Sequence, residues 1–189
     1  MLREDALPYE IDDRVVLNPH GIGRIAGLVT KSFAPTGQQE YYEVATERSL
    51  VWVAVDRAEA RGLRPVTGKA ELDRFRGVLR SRPTVLNADH RQRRLELQTR
   101  ERLGTFQSVC ELVRDLTAYT WKKPLNDVDT ATLRHAHTDF CAEWAAADEV
   151  TLAQANAEVA ALLLETRQAW HTTDGSTGHA GKALNAPPA

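Results

Sequence analysis

Arginines are concentrated in one stretch of this chain. Seven arginines and three acidic residues lie between residues 80 and 102, a local surplus of four positive charges in a chain of formal net charge −2. A planar guanidinium group donates two hydrogen bonds at once, which suits it to phosphate. The stretch therefore predicts either a phosphate-binding surface or a solvated helix face, on which Arg93 and Arg94 pair with Glu96 and Glu101.

Residues suited to catalysis or metal binding are sparse. His135 and His137 are two residues apart and so point to different sides of a helix. His137 and Cys141 share a helix face, but two ligands are too few for a zinc site. We expect Cys110 and Cys141 to be small buried thiols rather than a disulfide or a metal pair. The sequence predicts no enzyme activity and no cofactor.

The amino-acid composition limits the number of domains and the cellular location that we expect for this protein. The chain has 189 residues, of which 42% are hydrophobic and 26% charged, enough for one sizeable domain or two small ones. No apolar run approaches the length of a membrane span. The residues Arg3, Glu4 and Asp5 do not resemble the start of a secretory signal. We therefore expect a cytoplasmic protein.

Residues 8–67 are patterned as short strands separated by turns. The predicted strands are 15–17, 22–31, 41–45, 50–55 and 62–66, with a polar loop at 32–39 and a helical turn at 57–61. Five short strands in about sixty residues are typical of a small antiparallel barrel of the SH3 or Tudor type.

The apolar period changes to that of helices at about residue 68. Predicted helices cover 70–79, 91–103, 106–116, 127–147 and 152–170, and Thr105 and Thr151 are candidate helix caps. The predicted fold class is α+β, a small N-terminal Tudor/SH3-like β-barrel over 8–67 followed by an all-α helical bundle over 69–170. Residues 171–189 are rich in Gly, Ala, Pro, Ser and Thr and predict a disordered tail.

The run Leu50–Val55 is a candidate edge strand. An exposed edge can pair its backbone with a strand of another protein. Trp52 is either an anchor on this edge or part of the barrel core. Arg24 and Lys31 could add positive charge to the same face, or be ordinary surface residues.

Several short motifs occur in an order and spacing found together in one family. They are the hairpin Val15–Ile25, the strand Tyr41–Val44, the segment Gly62–Val66 and the helix motif Glu111–Leu116. With these motifs the chain resembles, over roughly residues 9–170, the CarD/CdnL family of bacterial RNA polymerase-binding transcription factors. The most specific of them is the hydrophobic-hydrophobic-Arg-Asp-Leu sequence that ends at Leu116.

The resemblance implies two partners. The barrel should bind the β subunit of RNA polymerase, and the helical domain should contact promoter DNA just upstream of the melted region. The residues expected at the polymerase contact are Arg24, Lys31, Val51, Trp52 and Val53. Those expected at the DNA contact are His90, Arg91, Arg93 and Arg94. Such a protein would be a monomer, associated with the nucleoid through polymerase.

The chain departs from the family pattern at positions that bear on function. Leu17-Asn18 stands where the family usually has Tyr-Pro, and Trp52 stands where it often has a polymerase-contacting Arg. The DNA-inserting Trp of the family falls at Arg91. An aromatic side chain can wedge between base steps, whereas Arg binds phosphate or enters a narrow minor groove. These departures indicate a divergent member.

The function predicted from the sequence is that of a transcription regulator. It would bind the polymerase β subunit and contact promoter DNA weakly, without sequence specificity, and so modulate open-complex stability. The alternative is an interaction module that binds polymerase or another protein without DNA activity. A DNA-repair accessory built on the same kind of barrel is a third class.

Overall fold

The computed structural model describes residues 8–33 and 37–176, and over these residues the chain forms five strands followed by five α-helices. The strands are β1 (Arg14–Leu17), β2 (Gly21–Phe33), β3 (Gly37–Thr46), β4 (Leu50–Ala54) and β5 (Leu63–Pro65). The helices are α1 (Leu72–Arg80), α2 (His90–Leu103), α3 (Phe106–Thr120), α4 (Asp127–Asp148) and α5 (Leu152–Ser176). The predicted α+β fold class is thus confirmed. The predicted loop at 32–39 is shorter than expected, since β2 continues to Phe33 and β3 begins at Gly37.

The strands form one antiparallel sheet in the order β4-β3-β2-β1-β5. Its inner face carries the apolar core, which includes Val15, Ile25, Tyr42, Val44 and Val53. The long strand β2 has a register shift between Ile25 and Gly27, and a bulge of this kind bends a strand and increases its twist. The bend lets the short strands on either side curl over a common core.

The sheet is not closed into a complete barrel, and this is consistent with the predicted Tudor/SH3-like fold. β4 and β5 are its two end strands, so no strand pairing joins them within the part of the chain that the structure describes. Two 3₁₀ turns, Val55–Arg57 and Glu59–Arg61, connect β4 to β5, and Ala58 between them is buried in the sheet core. A helical turn therefore covers the gap that a closed barrel would bridge with backbone hydrogen bonds.

The helices pack around a second core. Its largest side chains are the aromatic residues Phe75, Phe106, Phe140 and Trp144, which contact one another at ring centroid distances of 4.7 to 6.2 Å. A smaller core of four leucines, Leu86, Leu97, Leu112 and Leu116, joins α2 and the preceding loop to α3.

Local capping signals in the sequence are confirmed. The hydroxyl of Thr105 accepts a hydrogen bond from the Ser108 amide at 3.1 Å, and that of Thr151 accepts one from the Gln154 amide at 3.2 Å. The predicted end of the last helix is too early, because α5 extends to Ser176 and so into the predicted tail 171–189. The remainder of that tail, 177–189, lies outside the described residues.

A polar contact joins the sheet to the helices. Arg64 on β5 donates two hydrogen bonds to the carboxylate of Glu143 on α4, at 2.6 and 2.7 Å, and its Nε donates to the Gly104 carbonyl at 2.8 Å. The same carboxylate accepts hydrogen bonds from the amide and the hydroxyl of Thr67, at 3.1 and 2.8 Å. Glu143 is 4% exposed, so this is a largely buried charge with its hydrogen bonds satisfied.

Gly104 is needed where the sheet meets α2. It ends α2 in the left-handed conformation, with φ of 60°. A Cβ atom at this position would lie 2.7 Å from the side-chain nitrogen of Asn18, which donates to the Glu101 carbonyl at 3.0 Å. Any other residue would be strained there and would separate Asn18 from the helix.

Candidate protein and nucleic-acid interfaces

Trp52 lies on the outer face of the sheet, at its β4 edge. It stands opposite Glu43 on β3, and its side chain is 48% exposed, which excludes the alternative that it belongs to the sheet core. The indole nitrogen donates to the Glu43 carboxylate at 3.0 Å. The Lys31 ammonium lies 3.6 Å from the centre of the Trp52 ring, a cation–π contact. These contacts fix the orientation of a large exposed aromatic side chain on an end strand.

Val51 and Val53, the neighbours of Trp52, point the other way. Val53 is 4% exposed and Val51 is half-buried against the sheet core. Side chains alternate between the two faces of a strand, so these valines offer a partner their backbone rather than their side chains. The predicted residues Trp52 and Lys31 are therefore brought together, whereas Val51 and Val53 support the strand from inside.

Arg24 lies near the start of β2, seven residues before Lys31, and pairs with Asp12. Its guanidinium is 3.2 Å from the Asp12 carboxylate, and both side chains are exposed. An exposed pair of this kind contributes little to stability, so Arg24 remains available for another carboxylate. It shares a face of the sheet with Lys31 through the register with β3.

A groove that no motif of the sequence predicts runs beside β4. Its volume is about 520 Å³, and its lining includes Pro19, His20 and Trp52 together with Arg57 and Arg61 from the 3₁₀ turns. Both arginines are exposed, and Arg57 lies 3.7 Å from the Asp56 carboxylate. The β4 edge thus lies beside a concave surface with positive side chains on its border.

The start of α2 carries the residues predicted to contact DNA. Asp89 caps the helix, since its carboxylate accepts hydrogen bonds from the amides of Arg91 and Gln92 at 2.8 and 3.0 Å. The bonds from Gln92 and Arg91 lower the pKa of Asp89, and the cap therefore stays ionised down to acidic pH. His90, Arg91 and Arg94 are exposed. The exposed face of the helix continues through Leu95, which is 61% exposed, to Arg102.

Arg93 is separated from the other predicted DNA-contacting residues by burial. It is 4% exposed, and two of its guanidinium nitrogens lie 2.8 Å from one oxygen of the buried Asp129 carboxylate. The remaining nitrogen donates to the carbonyls of Asn87 and Ala88, and the guanidinium lies 4.9 Å from the centre of the Tyr119 ring. The structure therefore uses Arg93 to hold the start of α2 on α3 and α4, and a phosphate cannot reach it from outside.

The Arg114–Asp115 pair is also structural. The Asp115 carboxylate accepts hydrogen bonds from Arg114 and from Arg100, at 2.8 and 2.7 Å, and from the Thr84 amide at 2.9 Å. Asp115 is 1% exposed. This network fixes the loop between α1 and α2 on the surface of α3.

The two thiols are buried, as predicted, and both are free. Burial raises the pKa of Cys110 to about 12 and that of Cys141 to about 11, and so disfavours the thiolate form that nucleophilic chemistry needs. Cys141 lies 3.8 Å from the His137 ring nitrogens, and burial lowers the pKa of His137. Among the described residues there is no group of three or more side chains that could hold a metal ion. None of the helices they form is long and apolar enough to cross a membrane.

The bent five-stranded sheet followed by five α-helices defines the class of fold: a Tudor-like sheet joined to a group of packed helices. Residues 9–67 match the family model of the CarD-like/TRCF RID domain, so this part of the chain is similar to that family of RNA polymerase-interacting domains. The match spans β1 to β5 and ends before α1. It confirms the resemblance drawn from the sequence over residues 9–67, and beyond residue 67 the resemblance stays a prediction. No curated protein matches the chain in sequence.

Proposed function

We propose that this protein regulates transcription by binding the β subunit of RNA polymerase through the β4 edge and contacting promoter DNA through the exposed face of α2. The observation that carries the proposal is the exposed Trp52 on an end strand of a CarD-like/TRCF RID domain. An end strand offers unpaired backbone groups to a partner strand, and an oriented aromatic side chain beside it can anchor the pair.

The charges around β4 define the partner surface. Lys31, Arg57 and Arg61 lie on or beside the outer face near Trp52. A partner strand with acidic side chains would complement them, which favours fast and selective association more than high affinity. Val51 and Val53 would contribute backbone hydrogen bonds while their side chains stay in the core.

The DNA contact rests on fewer groups than the sequence predicted. His90, Arg91 and Arg94 are exposed at the start of α2, whereas Arg93 is not. Each phosphate contact adds a salt-dependent, sequence-independent term to binding. With so few cations the contact is weak by itself and becomes effective when polymerase binding holds α2 close to the DNA.

The alternative function is an interaction module that binds polymerase or another protein without acting on DNA. The burial of Arg93 is the observation that favours it, since it removes one of the predicted phosphate contacts. In both functions the β4 edge is the protein-binding surface, and they differ in the effect on promoter complexes and, where the partner is not polymerase, in the partner.

The polymerase contact is tested by a binding measurement with the purified lobe of the polymerase β subunit. Wild type should bind, and Trp52→Glu should lose binding because the new carboxylate faces Glu43 and removes the aromatic anchor. Ile11→Glu is the matched control, since Ile11 is 63% exposed on the same domain but lies outside β4. Circular dichroism should show both variants folded.

The outcome of this binding measurement shows which surface of the protein contacts the polymerase β lobe. Loss in Trp52→Glu with retention in Ile11→Glu supports the β4 edge. Binding by both variants would move the contact elsewhere on the domain. No binding by wild type would refute the polymerase proposal.

A further inference from the structure

A second concave site lies in the helical part of the molecule, away from β4. It is a cavity of about 230 Å³ between the loop that follows α1, the end of α3 and Trp170 near the end of α5. Most of its lining is apolar: Pro83, Val85, Leu86, Ala118, Tyr119 and Trp170. Neither the polymerase nor the DNA proposal uses this cavity.

The walls of this cavity are held in place. Pro83 and Leu86 are buried, and the amide of Thr84 between them donates to Asp115 at 2.9 Å. Asp115 also lines the cavity, but its carboxylate is neutralised by Arg100 and Arg114. The site is therefore preformed, and a ligand would not have to order the loop.

The border of the cavity is positively charged. The guanidinium of Arg82 lies 5.4 Å from the centre of the Trp170 ring, and the ammonium of Lys122 lies 4.7 Å from it. The ammonium of Lys123 lies 4.9 Å from the centre of the Tyr119 ring. Val85, 82% exposed, is the most exposed of the large hydrophobic side chains that the structure describes. An apolar cavity with cations on its border selects an apolar group that carries negative charge beside it.

The size and the lining decide between classes of ligand. Sites for drug-sized molecules occupy about 300–1,000 Å³, so this cavity suits one large side chain better than a cofactor. A nucleobase carries donors and acceptors on its edge, and an apolar lining would leave them unsatisfied. An aliphatic or aromatic side chain has no such groups.

We propose that this cavity docks a segment of a partner protein that presents one Leu, Met or Phe side chain flanked by Asp or Glu. The apolar side chain fills the space between Leu86, Tyr119 and Trp170. The flanking carboxylates meet Arg82 and Lys123. This contact is independent of the β4 edge, so one molecule can hold two protein partners.

The test uses nuclear magnetic resonance on the full-length, ¹⁵N-labelled chain. The chain has four tryptophans, and each gives an indole N–H signal. Trp170 and its ring neighbour Trp121 report on the cavity, Trp52 reports on the β4 edge, and the fully buried Trp144 is the internal control. The probe is the peptide acetyl-Asp-Glu-Leu-Phe-Asp-Glu-amide. It should shift the Trp170 signal in a saturable way, at a lower peptide concentration than any shift of the Trp52 signal, and leave the Trp144 signal in place.

Two further probes separate the contribution of the apolar side chains from that of negative charge alone. The peptide acetyl-Asp-Glu-Gly-Ser-Asp-Glu-amide keeps the charge without the apolar group, and a single-stranded oligonucleotide of equal charge represents nucleic acid. Both should bind at least about tenfold more weakly than the first peptide. Equal binding of the Gly-Ser peptide would reduce the site to charge alone, and tighter binding of the oligonucleotide would assign it to nucleic acid. Either result, or no saturable shift with the first peptide, would overturn the proposal.

A pair of surface variants completes the test. Val85→Glu places a carboxylate at the mouth of the cavity and should weaken the first peptide by about tenfold or more through charge repulsion. Leu152→Glu is the control: Leu152 is 50% exposed and lies eighteen residues before Trp170 on α5, a distance of about 27 Å along a helix. Equal binding by the two variants would contradict the placement of the site.

Discussion

Two neighbouring arginines on α2 have opposite environments. Arg94 is exposed to solvent, while Arg93 is buried with its guanidinium bonded to Asp129 and to two backbone carbonyls. The sequence shows the same residue type at both positions, and helix periodicity alone does not favour burying either. What distinguishes them is the partner across the interface, which only the fold supplies.

The structural role of the buried Arg93 can be tested by measuring the free energy of unfolding. Arg93→Met keeps the approximate volume of the side chain but leaves the Asp129 carboxylate, 2% exposed, without its cation. Removing one partner of a buried ion pair costs about 3–5 kcal/mol. Arg91→Met, at an exposed position on the same helix, should stay within about 0.5 kcal/mol of wild type. Urea denaturation of the two variants measures both, and a similar small loss in each would show that the pair is not structural.

At the scale of the element, α2 has a structural face and a solvent face. Arg93 and Leu97 are its buried residues, and Arg91, Arg94 and Arg102 lie on exposed positions. The proposed DNA contact therefore concerns one face of one helix. Its residues can be changed without disturbing the core.

The double substitution Arg91→Glu with Arg94→Glu tests this face. It should abolish the effect of the protein on the lifetime of open promoter complexes, because the two carboxylates that replace the arginines are repelled by phosphate. Binding to the polymerase β lobe should stay intact. The measurement is the decay of preformed open complexes, at two salt concentrations, with saturating protein.

A matched control carries the same change of charge on other helices. Arg134→Glu with Arg167→Glu changes two exposed arginines of α4 and α5 and should keep the wild-type effect on complex lifetime. An unchanged effect in the α2 variant as well would favour the interaction module without DNA activity.

Elements set by local sequence could be predicted, and those set by distant contacts could not. The strand runs, the caps at Thr105 and Thr151 and most helix bounds depend on neighbouring residues, and they match the structure. The open sheet depends on how the 3₁₀ turns around Ala58 pack. The burial of Arg93 depends on Asp129, 36 residues later in the chain. The cavity beside Trp170 combines a loop, α3 and α5, so no single stretch of sequence marks it.

At the scale of the whole molecule, the sheet and the helices are joined by a buried charge. Glu143 accepts hydrogen bonds from Arg64 and Thr67, and Asn18 adds a bond to the end of α2. These contacts come from both β1–β2 and β5. They join the sheet to α2 and α4 at two points.

The substitution Glu143→Gln tests this connection. The neutral amide cannot balance the Arg64 guanidinium or accept all four hydrogen bonds, so the protein should lose about 3 kcal/mol or more of stability. Hydrogen exchange should become faster first in β1 and β5, where the sheet meets the helices. Glu165→Gln is the matched control, because Glu165 forms an exposed pair with Arg80 at 2.9 Å and such pairs contribute about 0–1 kcal/mol.

Two results with the Gln variants would contradict this expectation. Equal losses in the two Gln variants, or uniform exchange throughout the Glu143→Gln protein, would show that the sheet and helices are not coupled through this carboxylate.

The Arg64–Glu143 contact also bears on the distance between the two proposed binding surfaces. The β4 edge and the exposed face of α2 lie in parts of the molecule that this contact joins, so the contact limits changes in the separation between them. Under the proposed function, a promoter would respond according to where its backbone passes relative to the polymerase lobe, and its base sequence would matter through the path it gives the duplex. The protein would then respond to the distance between the polymerase lobe and the DNA backbone.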